Sequence, residues 1–69
     1  MKLIDTLKAL ANNNGLSITL INKNEETLVT FNAAGYMSIE SDLQNLEVVK
    51  IKIVSSKEVT LILGDEVSP

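Results

Sequence analysis

The 69-residue chain contains no cysteine, histidine, arginine or tryptophan, and only one proline. Each absence removes some chemistry. Without cysteine there is neither a disulfide nor a thiolate zinc site. Without histidine the commonest neutral metal ligand is missing, and so is the usual base of a nucleophile–base pair. Without arginine the chain lacks the side chain best shaped for bidentate phosphate contacts and guanine edges. Together with a net charge of −3, from six lysines and nine carboxylates, this speaks against a nucleic-acid partner. The negative charge is also too sparse for a nucleic-acid mimic. Tyr36 and Phe31 are the only aromatics, too few for a base-stacking platform, and are read as core residues.

Long apolar runs are missing as well. Nothing approaches the roughly 18 consecutive apolar residues of a membrane span. Asp5, Thr6 and Lys8 interrupt the N-terminal segment, so no signal peptide is expected. The composition leads us to expect a cytoplasmic protein with no cofactor, no metal and no membrane association.

Domains of this size sit near the lower limit for a self-sufficient core and usually recruit a disulfide, a metal or a partner subunit. With disulfides and thiolate or imidazole metal sites removed, the chain must pack well alone or share its core with a partner, a second copy included. Apolar residues make up 45% of the sequence and charged residues 22%, which places it among folded domains rather than disordered chains.

What is present is pattern. Leu3, Ile4, Leu7, Leu10 and Ala11 recur on one helical face, which predicts an amphipathic helix over 2–12. Asp5 suits its positive end, and "NNNG" stops it, with Gly15 free to take the left-handed conformation. "LSITLIN" (16–22) and "TLVTFN" (27–32) read as a hairpin about "KNEE". Matching apolar faces pairs Leu20 with Val29 and Ile18 with Phe31, through a loop of two residues (24–25) or four (23–26). "VVKIKIV" (48–54) and "VTLILG" (59–64) read as a second hairpin. Pairing Ile53 with Val59 and Ile51 with Leu61 requires an odd loop, Ser55–Lys57 or Val54–Glu58. Val49, Ile51 and Ile53 are thereby assigned to the core. Between the hairpins, Tyr36, Ile39, Leu43 and Leu46 suit one or two helical turns within 38–46, or a structured crossover loop. "SDLQ" reads as a capping box with Ser41 as N-cap, and Ser38 is a rival cap.

The expected architecture is therefore a two-layer α+β fold. An N-terminal helix packs on a four-stranded, mostly antiparallel sheet in the order α-β-β-(short α)-β-β, as one domain over 1–64 with a flexible tail over 65–69.

Candidate chemistry is thin. Ser55, Ser56 and Lys57 could form a Ser–Lys pair but are explained by a turn. Glu40, Asp42 and Glu47 could hold a hard cation or run acid–base chemistry, yet lack the pattern of a calcium loop and suit a helix N-terminus. Gly15, Gly35 and Gly64 are isolated, so no phosphate-cradling loop exists. We expect no enzyme. The sheet face away from the helix is less bland. Ile21, Leu28, Val48, Val54 and Ile62 are expected there among Thr19, Thr30, Lys50, Lys52 and Thr60, whereas such faces are normally polar. Ile21, Leu28, Lys50, Lys52 and Ile62 are the candidate partner-binding residues, with an edge strand as a second route to a partner.

With "KLIDTLKAL" opening the chain and "DLQNLEVVKIKI" leading into the second hairpin, the sequence resembles small uncharacterised proteins of phages, prophages and mobile elements of Gram-positive bacteria. The likeness lies in the N-terminal helix and in the segment Asn45, Leu46, Glu47, Val48. It implies no activity and no site residues. The reading that follows is a non-enzymatic accessory or protein-interaction domain, with a modulator of a host protein as a specific form. A structural component that forms a homo-oligomer is the alternative.

Overall fold

Leu3 and Leu7 lie one turn apart and both are completely buried, which fixes the inward stripe of the first helix. This helix, α1 (Leu3–Leu10), follows Lys2 at its N-cap and carries Asp5 in its first turn. Thr6, outside the expected apolar face, is also buried; its Oγ1 lies 2.9 Å from Met1 Sδ and 3.4 Å from the Lys2 carbonyl. The helix ends at Leu10, two residues short of the expected limit, with Ala11 as C-cap, and Asn13 donates from both its backbone N and its Nδ2 to the Leu10 carbonyl. Gly15 takes the left-handed conformation (φ 82°), as a turn residue beyond the cap. The computed structural model describes residues 1–13 and 15–66.

The strands are β1 (Ser17–Ile21), β2 (Thr27–Asn32), β3 (Leu46–Ser55) and β4 (Glu58–Glu66). They form one sheet in the order β2-β1-β4-β3. Each hairpin is antiparallel, and the hairpins join along a parallel seam between β1 and β4. The two-layer α+β expectation holds, with a mixed sheet whose parallel pair is central. The expected pairings are present: Ile18 with Phe31, Leu20 with Val29, Ile51 with Leu61, and Ile53 with Val59.

The turns differ from the expected lengths, and bulges absorb the difference. Asn22 and Glu26 close the first turn: the Asn22 N–H donates to the Glu26 carbonyl (3.0 Å), while Asn22 Oδ1 accepts from the Asn24 and Glu26 amides. Lys23, Asn24 and Glu25 remain as the loop, with Glu25 at φ 65°. A three-residue loop ending in a left-handed residue is a standard hairpin connection. The odd loop and the even register are reconciled because Leu20 pairs with Val29 but Ile21 with Thr27, which leaves Leu28 as the extra residue. In the second hairpin Ser55 pairs with Glu58 about Ser56–Lys57, and Val54 is the extra residue.

The crossover is helical but not as the capping pattern implied. A 3₁₀ segment, Ala33–Ser38, is capped by Asn32, whose Oδ1 accepts from the Ala34 amide at 3.0 Å. A single turn, α2 (Ser41–Gln44), follows with Glu40 at its N-cap and no side-chain cap bond. Ser41 is thus the first helical residue rather than the cap, and Ser38 donates its hydroxyl to the Gly35 carbonyl. β4 runs through Asp65 to Glu66, two residues past the expected domain limit; the remainder of the expected tail, 67–69, lies outside the described residues.

The core explains the rest of the surface. Leu3 and Leu7 of α1, Ile18 and Leu20 of β1, Val59, Leu61 and Leu63 of β4, and Ala33 and Ile39 of the crossover form one buried cluster. A helix is about 10 Å across and strands are about 4.8 Å apart, so one helix covers roughly two strands. The buried side chains of the sheet here lie on β1 and β4. The crossover adds cover near β2, where Tyr36 and Leu43 pack against the core. On the β3 side, Leu46 and Val48 reach the same cluster and the strand beyond them does not.

Candidate functional site

The assignment of Val49, Ile51 and Ile53 to the core is overturned. They are 55%, 52% and 81% exposed, and Val54 beside them is 62% exposed. Their face was read correctly for Ile51 and Ile53, which pair with buried Leu61 and Val59. What fails is coverage: α1 contacts β3, yet only Leu46 and Val48 of this edge strand pack on the core. Val49 departs for a second reason. Val48 pairs with Leu63 and Lys50 with Ile62, so Val49 is a bulge residue. The bulge reverses the alternation, and Val48, expected on the open face, packs on the core instead. Val49 sits over Gly64: a Cβ on that glycine would meet Val49 Cγ1 at 2.9 Å.

Beside these side chains lies a cleft of about 650 Å³ between the end of α1 and the second hairpin. Leu10, Leu16, Ile51, Ile53 and Val59 give it apolar walls, and Asn13, Ser55 and Glu58 are among its polar residues. A smaller cleft of about 330 Å³ near β2 is lined by Leu28, Val29, Ile39 and Leu43 among others. The bulge at Leu28 accounts for that residue bordering the same cleft as Val29, rather than continuing the open-face row with Ile21.

On the open face, three of the five candidate residues share one row across the sheet: Ile21 pairs with Ile62, and Ile62 with Lys50. Lys52 ends the adjacent row, which runs Thr30, Thr19, Thr60, Lys52. Thr19 and Thr30 hydroxyls are 3.2 Å apart. Ile21 and Ile62 are half-buried by these neighbours, whereas both lysines are exposed. The open face is therefore a narrow apolar strip beside threonines, and the larger exposed apolar surface lies on the helix side of β3.

Among the described residues, the outer side of β3 is occupied only at its start. The Val48 amide donates to the Met1 carbonyl at 2.9 Å, and Lys2 bridges to Glu47. Among the described residues no strand flanks β3 from Lys50 to Ser55. Charge along this hairpin is one-signed. Residues 48–57 hold three lysines and no carboxylate, while the rest of the chain sets three lysines against nine carboxylates.

The other candidate groups do not converge. Glu40, Asp42 and Glu47 are each exposed, and among the described residues no three acidic side chains come together in a metal-binding arrangement. Ser55 Oγ accepts from the Lys57 amide at 3.2 Å, and the Lys57 carbonyl accepts from the Ser17 amide at 2.8 Å, so this trio builds the turn and ties it to β1. Among the described residues no helix is long and apolar enough to cross a membrane. No protein-family model, curated protein or solved structure matches the chain.

The bulges of β3 have a sequence signal that face assignment alone misses. "VV" at 48–49 and "IV" at 53–54 break strict alternation at both ends of "KIK", which marks bulges. Strand order decides coverage, and no residue pattern within the hairpin encodes it.

Proposed function

We propose that the protein is a non-enzymatic interaction domain that binds another protein through β3, using its apolar helix-side face, the adjoining cleft and its free edge. The observation that carries this reading is the exposure of Ile51 and Ile53, 52% and 81%, on an edge strand whose paired residues Leu61 and Val59 are buried. Exposed apolar surface beside a cleft marks association sites, and an unpaired edge supplies backbone groups for strand addition. The specific form proposed is a modulator of a host protein. A homo-oligomeric assembly component would use the same surface.

The test is affinity capture from the source cells with the wild-type chain and the Ile51→Ser/Ile53→Ser variant, after circular dichroism shows both to be folded. A partner retained by the wild type and lost by the variant supports the reading. Identical captures from both sink it. Sedimentation equilibrium separates a foreign partner from self-assembly.

A further inference from the structure

The edge of β3 also constrains the chemistry of its occupant. From Lys50 to Ile53 the side chains alternate lysine, isoleucine, lysine, isoleucine. Their pairings put Lys50 and Lys52 on the open face with Ile62 and Thr60, and Ile51 and Ile53 on the helix side with Leu61 and Val59. Residues opposite one another on neighbouring strands share a face. A strand added at this edge thus places every second side chain against an exposed isoleucine and the others against an exposed lysine.

A second copy is a poor fit for that position. Antiparallel self-pairing centred on Lys52, which brings the isoleucines of both copies onto one face, would set Lys52 against its own counterpart. The four lysines of the two strands would then be gathered on one face, and like charges directly opposite destabilise a sheet. The asymmetry is local, because three lysines and no carboxylate occupy 48–57 on a chain of net charge −3. A complementary strand would carry acidic residues facing the lysines and apolar residues facing the isoleucines.

We propose that the β3 edge accepts an extended segment of another protein in which apolar and acidic residues alternate. The segment continues the sheet past β3, covers Ile51 and Ile53, and pairs its carboxylates with Lys50 and Lys52. The proposal rests on the interaction reading above and names the partner's chemistry.

The probe is a seven-residue peptide alternating valine and glutamate, blocked at both ends, with its valine–lysine counterpart as control. Binding is followed by amide shifts and amide hydrogen exchange of the full chain. The expected result is slowed exchange and shifted amides within Lys50–Ser55 with the glutamate peptide. Its preference over the lysine peptide should be about tenfold at low salt and should shrink as salt rises. The Lys50→Glu/Lys52→Glu variant, altered only at exposed positions, should reverse the preference. The proposal is overturned if both peptides bind equally, if neither binds, if the shifts map away from β3, or if the chain itself dimerises along this edge. A capture that depends on Ile51 and Ile53 alongside failure of the glutamate peptide would leave the interaction reading standing and remove this one. Capture that does not depend on those residues removes the interaction reading itself.

Discussion

Ile53 and Val59 face each other across the second hairpin, yet Val59 is 6% exposed and Ile53 is 81% exposed. Two paired apolar residues on one sheet face thus differ almost completely in burial, because the core includes Val59 and does not extend to Ile53. Replacing Ile53 with threonine should change stability by no more than about 0.5 kcal/mol, as for surface sites away from special features. Leu61→Ala, two residue pairs along and fully buried, should cost about 2–5 kcal/mol. Urea unfolding midpoints of the two variants check the contrast, and equal losses would mean that β3 is covered in solution.

Glu25 holds a left-handed backbone at φ 65° in the first turn. Such a conformation is strained for any residue with a Cβ, by about 1–2 kcal/mol. Glycine relieves it and gives back part in unfolded-chain entropy. Glu25→Gly should therefore stabilise by about 0.5–1 kcal/mol, raising Tm by a few degrees in a domain of this size. Glu25→Val should lower Tm. Thermal unfolding by circular dichroism reads both, and a glycine variant less stable than the parent would contradict the turn geometry.

Gly64 and Val49 form a tight contact on the second hairpin, since a Cβ at 64 would come within 2.9 Å of Val49 Cγ1. Gly64→Ala should destabilise by about 1 kcal/mol through overpacking. Adding Val49→Ala should recover most of that loss. A double-mutant cycle measures the coupling, and strict additivity of the two changes would deny the contact.

Lys23 in the first turn donates to Asp65 Oδ1 on β4 at 2.8 Å. This hydrogen bond, with the lysine charge, holds the Asp65 carboxyl below its ordinary value of 3.8. A carboxylate lowered in the folded state stabilises above the unfolded value, and that contribution is lost as pH falls through the folded one. The pair is exposed and screened, so its effect on stability should be small. Carbon-detected NMR titration should find the Asp65 midpoint below 3.8 and return it upward in Lys23→Ala; an unchanged midpoint would show the ion pair to be absent in solution.

Much of this arrangement is legible in the residue order. The period of two in "SITL" and "TLIL" names the inward side chains, and matching inward sets yields the four core pairings observed. The N-terminal helix follows from Leu3 and Leu7 in the same way. Three things escape that logic. Bulges at Leu28, Val49 and Val54 shift the phase by one residue, moving Val48 to the core and taking Leu28 out of the Ile21 row. Ser41 has the right neighbours for a capping box but enters the helix rather than preceding it, because Glu40 already has the extended backbone of a cap. The burial of Ile51 and Ile53 depends on which strand β4 takes as its second neighbour and on how far one short helix extends. Both are tertiary outcomes.

The parallel seam between β1 and β4 also bears on how the chain folds. Each hairpin joins residues close in sequence and can close on a microsecond scale. The seam instead joins Ser17 to Glu58 and Ile21 to Ile62, contacts that form only after a long loop has closed. Folding of this small chain should therefore be limited by docking of two preformed hairpins, with mutations at Leu20 or Leu61 slowing it and mutations at the β3 tip acting on unfolding alone.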